Sequence, residues 1–254
     1  MADVKSIILK VIPASIANPF VCKHHYSGRV VNNSCLHFGA FLDGKLHGVL
    51  SYGPSLCKKV IIGLVPGTKW NEFLELNRMA FDDYLPRNSE SYCIARSIKL
   101  IKRNAPHIKW IISFADACQC GDGTIYRASN FVLTGIKKTG DFYRLPNGKT
   151  MTAITIKLHG YSGELCNVCT REQYNNALAA NKSDSNIAAF MRSIGGARLD
   201  GYSLRYMYFI DPEYRKKLVV PIIPFSKIDE VGAGMYKGEH VSMVERKHKE
   251  DDVI

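Results

Sequence analysis

The clearest pattern along the chain is a series of short apolar or alternating segments that predict β-strands. Asp43 and Gly44 separate two such segments and give a strong hairpin signal. Residues 108–114 form a nearly continuous apolar run, which is typical of a strand buried on both faces. The predicted strands are residues 4–12, 36–42, 46–52, 73–81, 108–114, 131–137, 150–158 and 202–210.

Apolar residues at helical spacing begin after Pro86. Ile94, Ile98 and Ile101 fall at positions i, i+4 and i+7 and form one stripe, and Pro106 ends the predicted helix. In the first part of the chain the elements follow the order β-α-β-β-β-α-β-α-β-β, which predicts a mixed α/β fold with a sheet flanked by helices. The other predicted helices are residues 15–25, 123–129, 170–180 and 185–192.

A change in composition after Gly160 divides the chain. Beyond it, two helical patterns and then an aromatic-rich strand pattern replace the earlier apolar runs. The last residues are polar and charged, as is common in terminal segments without fixed structure. The predicted organisation is a core at residues 1–160, a helical insertion at 161–200, a C-terminal strand and extended arm of the same domain at 201–228, and a flexible tail at 229–254.

Composition narrows the class of protein. The chain has 254 residues, of which 46% are hydrophobic and 22% charged, so it can bury a core and is not of a disordered or fibrous class. Its net charge of +11 favours a polyanionic partner such as nucleic acid or an acidic cofactor. Eight cysteines are too sparse for a disulfide scaffold, and no apolar run is long enough to span a bilayer. We therefore expect a soluble protein of a reduced, intracellular compartment that does not bind membranes.

The predicted helix after Pro86 carries a cluster of cations. No Asp or Glu occurs between Ser91 and Ala115, so these cations have no acidic partner nearby in the sequence. One interpretation is a solvated helix face, and the other is contact with a phosphate backbone. The cations are Arg96, Lys99, Lys102 and Arg103, followed by Lys109.

Polar side chains follow the apolar strand at residues 108–114. Ser113 and Asp116 lie where it ends, and polar residues at that edge of an open α/β sheet commonly line a ligand crevice. Asp116 is suited to orient an amine or accept its proton, and both residues are equally suited to cap the next turn. Tyr126, on the following predicted helix, is either a packing residue or a general acid.

The start of the long predicted helix suits a phosphate group. Asn88, Ser89 and Ser91 are residue types that favour N-caps, and Arg87 lies beside them. Free amides at a helix N-terminus bind anions, so these residues either hold a phosphate or only cap the helix.

Histidines and cysteines raise the question of a metal site. His24, His25 and Tyr26 cluster at the end of the first predicted helix, but adjacent helical positions point about 100° apart and do not easily share one metal. Cys166 and Cys169 have the spacing of a zinc knuckle, without a second pair of ligands. Packed free thiols are the preferred interpretation. The sequence therefore assigns no metal.

Several of these segments together resemble the bacteriophage Mom-type DNA modification proteins. The resemblance covers roughly residues 21–158 in order, spacing and residue choice. Those proteins are related to the Gcn5-type N-acetyltransferase fold, so the resemblance implies an acetyltransferase-like catalytic core at residues 1–160. The segments are HHYSGR (24–29), FGAFLDGKLHGVLSYGP (38–54), FLELNRMAFDDYLPRNSES (73–91), IISFAD (111–116) and GTIYRASNFVLTG (123–135).

The resemblance also implies a reaction: a carbamoylmethyl group is added to the exocyclic amine of adenine in phage DNA, which protects that DNA from host restriction. In that reaction Asp116 would orient or deprotonate the amine with support from Ser113, and Tyr126 would act as an acid toward the leaving group. The residues expected to bind the donor are Arg78, Asn88, Ser89 and Ser91. The residues expected to bind DNA are Arg96, Lys99, Lys102, Arg103 and Arg205. The candidates for the substrate pocket are His25, Tyr26 and Tyr52.

The sequence departs from ordinary acetyltransferases at residues 86–91. PRNSES replaces their glycine-rich turn, and its side chains crowd the approach of a phosphate. The cofactor is therefore unassigned, with an acyl-CoA-like donor and an iron ion left open. The expected partner is double-stranded DNA in the cytoplasm of the infected bacterial host. Two alternatives remain: a conventional acyl-CoA N-acetyltransferase acting on a protein or small amine, and a non-catalytic nucleic-acid-binding module.

Overall fold

The computed structural model describes residues 3–118, 121–236 and 239–246. The chain forms two compact units, one made of Met1–Ile136 and Leu204–Ile254 and the other of Lys137–Ser203. The predicted insertion at 161–200 falls within the second unit, which also includes parts of two long strands. None of the helices in the described ranges combines the length and hydropathy needed to cross a membrane.

The first unit contains a mixed β-sheet in which the strands follow the order β1-β2-β3-β4-β5-β8-β6. The pairs from β1 to β4 are antiparallel, whereas β4 and β5 are parallel. Strands β6 and β8 continue from this unit into the second. The bounds are β1 (Ile8–Val11), β2 (Leu36–Leu42), β3 (Lys45–Gly53), β4 (Phe73–Phe81), β5 (Trp110–Asp116), β6 (Val132–Arg144), β7 (Thr150–Thr152) and β8 (Ala197–Phe209).

Helices accompany this sheet, so the predicted mixed α/β class is confirmed. The helices of the first unit are α1 (Ala14–His24), α2 (Lys58–Ile62), α3 (Ser89–Asn104), α4 (Thr124–Ala128), α9 (Pro212–Lys216) and α10 (Ser226–Glu230). Those of the second are α5 (Ala153–His159), α6 (Leu165–Val168), α7 (Arg171–Leu178) and α8 (Asp184–Ser193). A 3-10 turn, Val4–Ser6, precedes β1, where the sequence predicted strand.

Helix α3 buries the stripe that its sequence predicts. Ile94, Ile98 and Ile101 are all buried. On the same buried face Ser97 contacts Tyr52 of β3, whose hydroxyl lies 2.6 Å from the Ser97 hydroxyl. Tyr52, a predicted substrate-pocket residue, is thus fully buried between α3 and the sheet.

Residues 54–72, which we call the β3–β4 connection, have no predicted element, yet they contain α2. Ile61, Leu64 and Val65 of this connection pack in a buried cluster with Phe73 and Trp110. The rings of Phe73 and Trp110 are stacked, with their centroids 4.5 Å apart. The connection is therefore fastened to the start of β4 and β5 through its own apolar side chains.

Residues 150–158 differ from their prediction as one strand. Only Thr150–Thr152 form a strand, and the Thr152 hydroxyl accepts a hydrogen bond from the Thr155 backbone amide and so caps α5. The alternation of apolar residues fits either element locally, but Ala153 and Ile156 are buried together at helical spacing. Packing within the second unit selects the helix.

The described part of residues 229–246 also differs from the predicted loose tail. Ala233 and Met235 are buried. Asp122, which is fully buried, forms an ion pair with Arg246, and Arg246 Nη1 lies 3.2 Å from Asp122 Oδ1. A buried carboxylate requires such partners, so this segment is part of the folded first unit. Residues 247–254 lie outside the described residues.

Replacing Arg246 with Met should destabilise the first unit. Removing one partner of a buried ion pair typically costs about 3–5 kcal/mol. Asp122 keeps Arg127 as a second cation, 3.3 Å away, so we expect a loss toward the lower end of that range. The chain has two tryptophans, and both Trp70 and Trp110 belong to the first unit. Urea unfolding followed by tryptophan fluorescence therefore reports this unit, and its midpoint should fall markedly in the variant.

Lys227→Met provides the control. Lys227 forms an ion pair with Glu230 in which both side chains are about half exposed, and such pairs contribute little to stability. Its midpoint should stay close to that of the unmodified protein. Equal midpoints for Arg246→Met and Lys227→Met would mean that the C-terminal segment does not stabilise the fold.

Candidate active site

The candidate site is built where the pairing of the two parallel strands ends. Within the described chain, β4 and β5 pair from Phe73 with Trp110 to Leu76 with Ser113. Both strands continue past this point, β4 to Phe81 and β5 to Asp116. Beyond Leu76 and Ser113, the groups of β4 and β5 that are not hydrogen-bonded between these two strands can contact other residues or a ligand.

Ser113 is fully buried and connects three elements at this point. Its hydroxyl lies 2.8 Å from the Leu76 carbonyl oxygen of β4 and 2.8 Å from the Tyr126 hydroxyl of α4. A carbonyl only accepts, and a serine hydroxyl has one proton to donate. When both bonds form, Ser113 donates to Leu76 and Tyr126 donates to Ser113. The structure thus brings together two of the three predicted catalytic residues.

Tyr126 is held in position by aromatic neighbours. Its ring centroid lies 5.2 Å from that of Tyr206 and 5.5 Å from that of Phe131. Helix α4 begins after Gly123, which has φ +84° and is so close to the Tyr206 ring that a Cβ atom would collide with it. Glycine is needed there both for the backbone conformation and for the approach of the ring.

Asp116, the third predicted catalytic residue, is partly buried at the end of β5. Burial raises the pKa of its carboxyl group, and hydrogen bonds from Cys118 and from the Tyr26 side chain oppose that rise. The Cys118 amide lies 2.9 Å from Asp116 Oδ1. A carboxylate with a raised pKa is a stronger base than an exposed one.

His25 and Tyr26 enter the site from the segment after α1. Their ring centroids are 4.3 Å apart, and Tyr26 reaches Asp116. Burial, and then the nearby positive charge of Arg78, lower the pKa of His25 to about 4. His25 is therefore neutral at physiological pH, and its Nδ1 lies 2.8 Å from the Ser27 hydroxyl.

Arg78 fastens the segment after α1 to β4. Its Nε donates to the Arg29 carbonyl oxygen at 2.9 Å, and its Nη1 donates to the Asn77 carbonyl oxygen at 2.6 Å. Burial lowers the pKa of its guanidinium, while Tyr26, Glu75 and Tyr126 act in the opposite direction. The cation is thus near several site residues and keeps donor capacity for a substrate.

Two site residues were missed from the sequence, Glu75 and Asn77. Burial raises the pKa of Glu75, which accepts a hydrogen bond from Ser55 and lies near Arg78. Asn77 occupies a bulge opposite Ser51 and Tyr52, and its Nδ2 is buried without a hydrogen-bond partner among the described residues. A polar residue inside an otherwise apolar strand was the available signal.

The N-terminus of α3 does not offer the hydroxyl donors predicted for a donor phosphate. The Ser89 hydroxyl donates to the Pro86 carbonyl oxygen, and the Ser91 hydroxyl donates to that of Asn88. Asn88 has φ +69° and makes no side-chain cap, and Glu90 places an acidic group in the first turn. A pyrophosphate would meet this negative charge, so the turn fits an acyl-CoA donor poorly.

The predicted DNA cations fall into two groups. Those of α3, which are Arg96, Lys99, Lys102 and Arg103, are all exposed. Arg205 is instead partly buried, and its Nε and Nη2 donate to Thr134 at 3.0 and 2.6 Å. Two of its donors are thus used within the sheet. Lys109 lies 3.5 Å from Asp211, which supplies the acidic partner that the local sequence lacks.

Metal ligation was left open by the sequence. The described residues contain no group of three or more His, Cys, Asp and Glu side chains placed to hold an ion. We therefore assign no residue as a ligand of the iron ion that the sequence left open.

Comparison with known proteins identifies the family. The model of the Mom protein family matches residues 6–227. A curated relative, the methylcarbamoylase mom of Escherichia phage Mu, is 34% identical over 215 residues, which cover 84% of this chain and 80% of that protein.

Solved structures of acetyltransferases align more weakly. A ribosomal-protein-S18-alanine N-acetyltransferase from Escherichia coli aligns over 81% of this chain and 94% of its own, with 8% identity and a TM-score of 0.40. A phosphinothricin N-acetyltransferase structure aligns over 52% and 87%, with 13% identity and a TM-score of 0.37. Both scores are too low to carry an argument about the fold. The family model and the phage relative are sufficient by themselves: the chain belongs to the Mom protein family.

Proposed function

We propose that this protein is a DNA-modifying transferase that attaches a carbamoylmethyl group to the exocyclic amine of adenine. The phage Mu relative is named a methylcarbamoylase. The observation that carries the proposal is the set of contacts around Arg78 at the end of the β4–β5 pairing. Arg78 lies near both Tyr26 and Tyr126. Tyr26 is hydrogen-bonded to Asp116, and Tyr126 to Ser113. A proton acceptor and a proton donor are thus supplied together.

Asp116 is the residue proposed to act on the adenine amine. The lone pair of that nitrogen is delocalised into the ring, so the amine is a poor nucleophile and must be positioned. The Asp116 carboxylate accepts a hydrogen bond from the amine and takes its proton as the new carbon–nitrogen bond forms. Burial, which raises the Asp116 pKa, makes this carboxylate a better acceptor.

Tyr126 is proposed to serve the leaving group of the donor. As the bond between the methylene carbon and the leaving group breaks, the electron pair departs with the leaving group, and the Tyr126 hydroxyl donates its proton there. Ser113 accepts that proton in the resting structure and holds the hydroxyl in place. The nearby guanidinium of Arg78 stabilises negative charge that develops during the transfer.

The substrate is proposed to be double-stranded phage DNA in the cytoplasm of the infected host. The exocyclic amine of adenine takes part in base pairing, so the base must leave the duplex or be met in an opened pair. The modified base then no longer presents the native adenine to restriction nucleases.

Replacing Asp116 with Asn tests the proposed base. The substitution keeps the shape but removes the charge, and loss of a positioned proton acceptor typically lowers a rate by ~10²–10⁴. Nucleosides from DNA of cells that express the variant should contain modified adenine at near background by mass spectrometry. Ser113→Ala should give a smaller loss.

The comparison requires that Asp116→Asn remains folded and binds DNA as the parent protein does. If that variant modifies DNA fully, the amine is activated by another group, and His25 and Tyr26 become the next candidates. A modified amide on protein or a small amine, with unmodified DNA, would instead support an ordinary N-acetyltransferase.

The pH profile gives an independent test of the same group. Activity should fall as pH drops through the Asp116 pKa, and because burial raises that pKa, the acidic limb should lie above the pH expected for an exposed Asp. Tyr26→Phe removes a hydrogen bond that lowers the pKa, so the limb should move further upward in that variant. A limb that Tyr26→Phe leaves in place would assign it to another group.

The exposed cations of α3 are proposed to contact phosphates. Reversing Arg96, Lys99 and Arg103 to Glu should weaken binding to all duplex sequences and flatten the dependence of affinity on salt, since fewer counterions are released. The matched control reverses three exposed lysines that lie outside α3, on or beside β1 and β3: Lys5, Lys10 and Lys45. An equal effect of both triple variants would indicate only a response to net charge.

A further inference from the structure

The β3–β4 connection exposes three large apolar side chains. Leu56, Val60 and Trp70 are 73%, 68% and 68% exposed. Their neighbours Ile61 and Val65 in the same connection are 5% and 0% exposed. The segment therefore buries one set of apolar residues while it presents another to solvent, and core packing does not account for the second set.

Hydrogen bonds hold the backbone of the connection in place around Trp70. The Trp110 indole donates to the Thr68 hydroxyl at 3.1 Å, and that hydroxyl donates to the Val65 carbonyl oxygen at 2.7 Å. Immediately after Thr68, the Lys69 amide donates to a Glu72 carboxylate oxygen at 2.8 Å. These bonds fix the backbone on both sides of Trp70, so its exposure is a property of the fold.

Positive charge surrounds these apolar side chains. The connection, residues 54–72, contains three lysines and a single acid, Glu72 at its end. Lys59 and Lys69 are exposed, and Lys58 Nζ lies 5.2 Å from the centre of the Trp70 ring. An apolar patch flanked by three cations and one acid carries net positive charge, so it is complementary to a polyanion that also offers flat apolar surfaces, which describes DNA with an opened base step.

The connection begins beside the candidate active site. Asn33 Nδ2 donates to the Pro54 carbonyl oxygen at 2.5 Å. Ser55 donates to Glu75, which lies near the guanidinium of Arg78. Leu56 follows directly in the chain. A duplex that presents a base to the site is therefore close to the first exposed apolar residue of the connection.

We propose that the β3–β4 connection is the element that holds the duplex open beside the target adenine, with Trp70 and Leu56 against the unstacked bases and Lys58, Lys59 and Lys69 on the phosphates. The inference rests on the proposed function, since a single-stranded substrate would not need it. Removing one base from the stack exposes apolar faces of its neighbours, and apolar or aromatic side chains reduce that cost.

Trp70→Ala is the main test, because an exposed side chain can be truncated without a cavity in the core. Two substrates are compared: a duplex that contains the unmodified target adenine, and the same duplex with an abasic position opposite that adenine. Loss of one aromatic stacking contact should lower the rate on the intact duplex by roughly 5- to 150-fold. On the opened substrate the variant should be within a few-fold of the parent protein.

Three further variants complete the test. Leu56→Ala should act in the same direction with a smaller effect, and Trp70→Phe should retain most of the activity on intact duplex. Ile8→Ala is the control, because Ile8 is 62% exposed at the edge strand β1. It should match the parent protein on both substrates.

The outcomes separate the two proposals. If the parent protein modifies neither substrate, the proposed function fails. If the parent protein modifies both substrates, two results would contradict the inference about duplex opening. In one, Trp70→Ala modifies the intact duplex as fast as the parent protein does. In the other, Trp70→Ala loses the same activity on both substrates. A change in the molecular mass of Trp70→Ala in solution, with unchanged modification of intact duplex, would overturn it in favour of a contact between copies of this chain.

Discussion

The buried hydroxyl of Ser113 is the interaction on which the candidate site depends. It lies at the last paired position of two parallel strands and joins Leu76 of β4, its own strand β5, and Tyr126 of α4. A buried hydroxyl that lost either partner would leave an unsatisfied polar group, which is costly. The same bonds that stabilise the fold at this point therefore set the distance between the base proposed on β5 and the acid proposed on α4.

Burial determines the charges around that centre. It raises the pKa of the carboxyl groups of Asp116 and Glu75 and lowers the pKa of His25, so each of these groups is biased toward its neutral form. Arg78 keeps its charge although burial lowers its pKa, because a guanidinium stays protonated in proteins. The site has one permanently charged cation, Arg78, and two carboxyl groups of raised pKa. It suits the removal of a proton from a weakly nucleophilic amine better than the binding of a pyrophosphate.

Local sequence patterns predicted much of the fold but few of the hydrogen bonds and contacts within the site. Strands at 36–42 and 73–81 were predicted with the observed bounds, because each is largely apolar and is enclosed by turn residues. Tyr52 could not be placed in that way, since its burial depends on Ser97, 45 positions away. The Asn77 bulge depends likewise on pairing with β3. Residues 150–158 alternate as a strand would, and only packing in the second unit makes most of them a helix.

The two proposed kinds of DNA contact correspond to two kinds of exposed surface. In α3, all of which the structure describes, no large apolar side chain is exposed among the cations. These cations therefore suit contact with the phosphate backbone, whatever the sequence and whether or not the bases are stacked. The β3–β4 connection combines lysines with Leu56, Val60 and Trp70, and apolar surface gains nothing from an intact, fully stacked duplex. Its contribution grows only when a base leaves the stack. In the proposed function, binding and opening are therefore carried by separate elements, and the proposed base Asp116 and the proposed acid Tyr126 act on an amine that has already been freed.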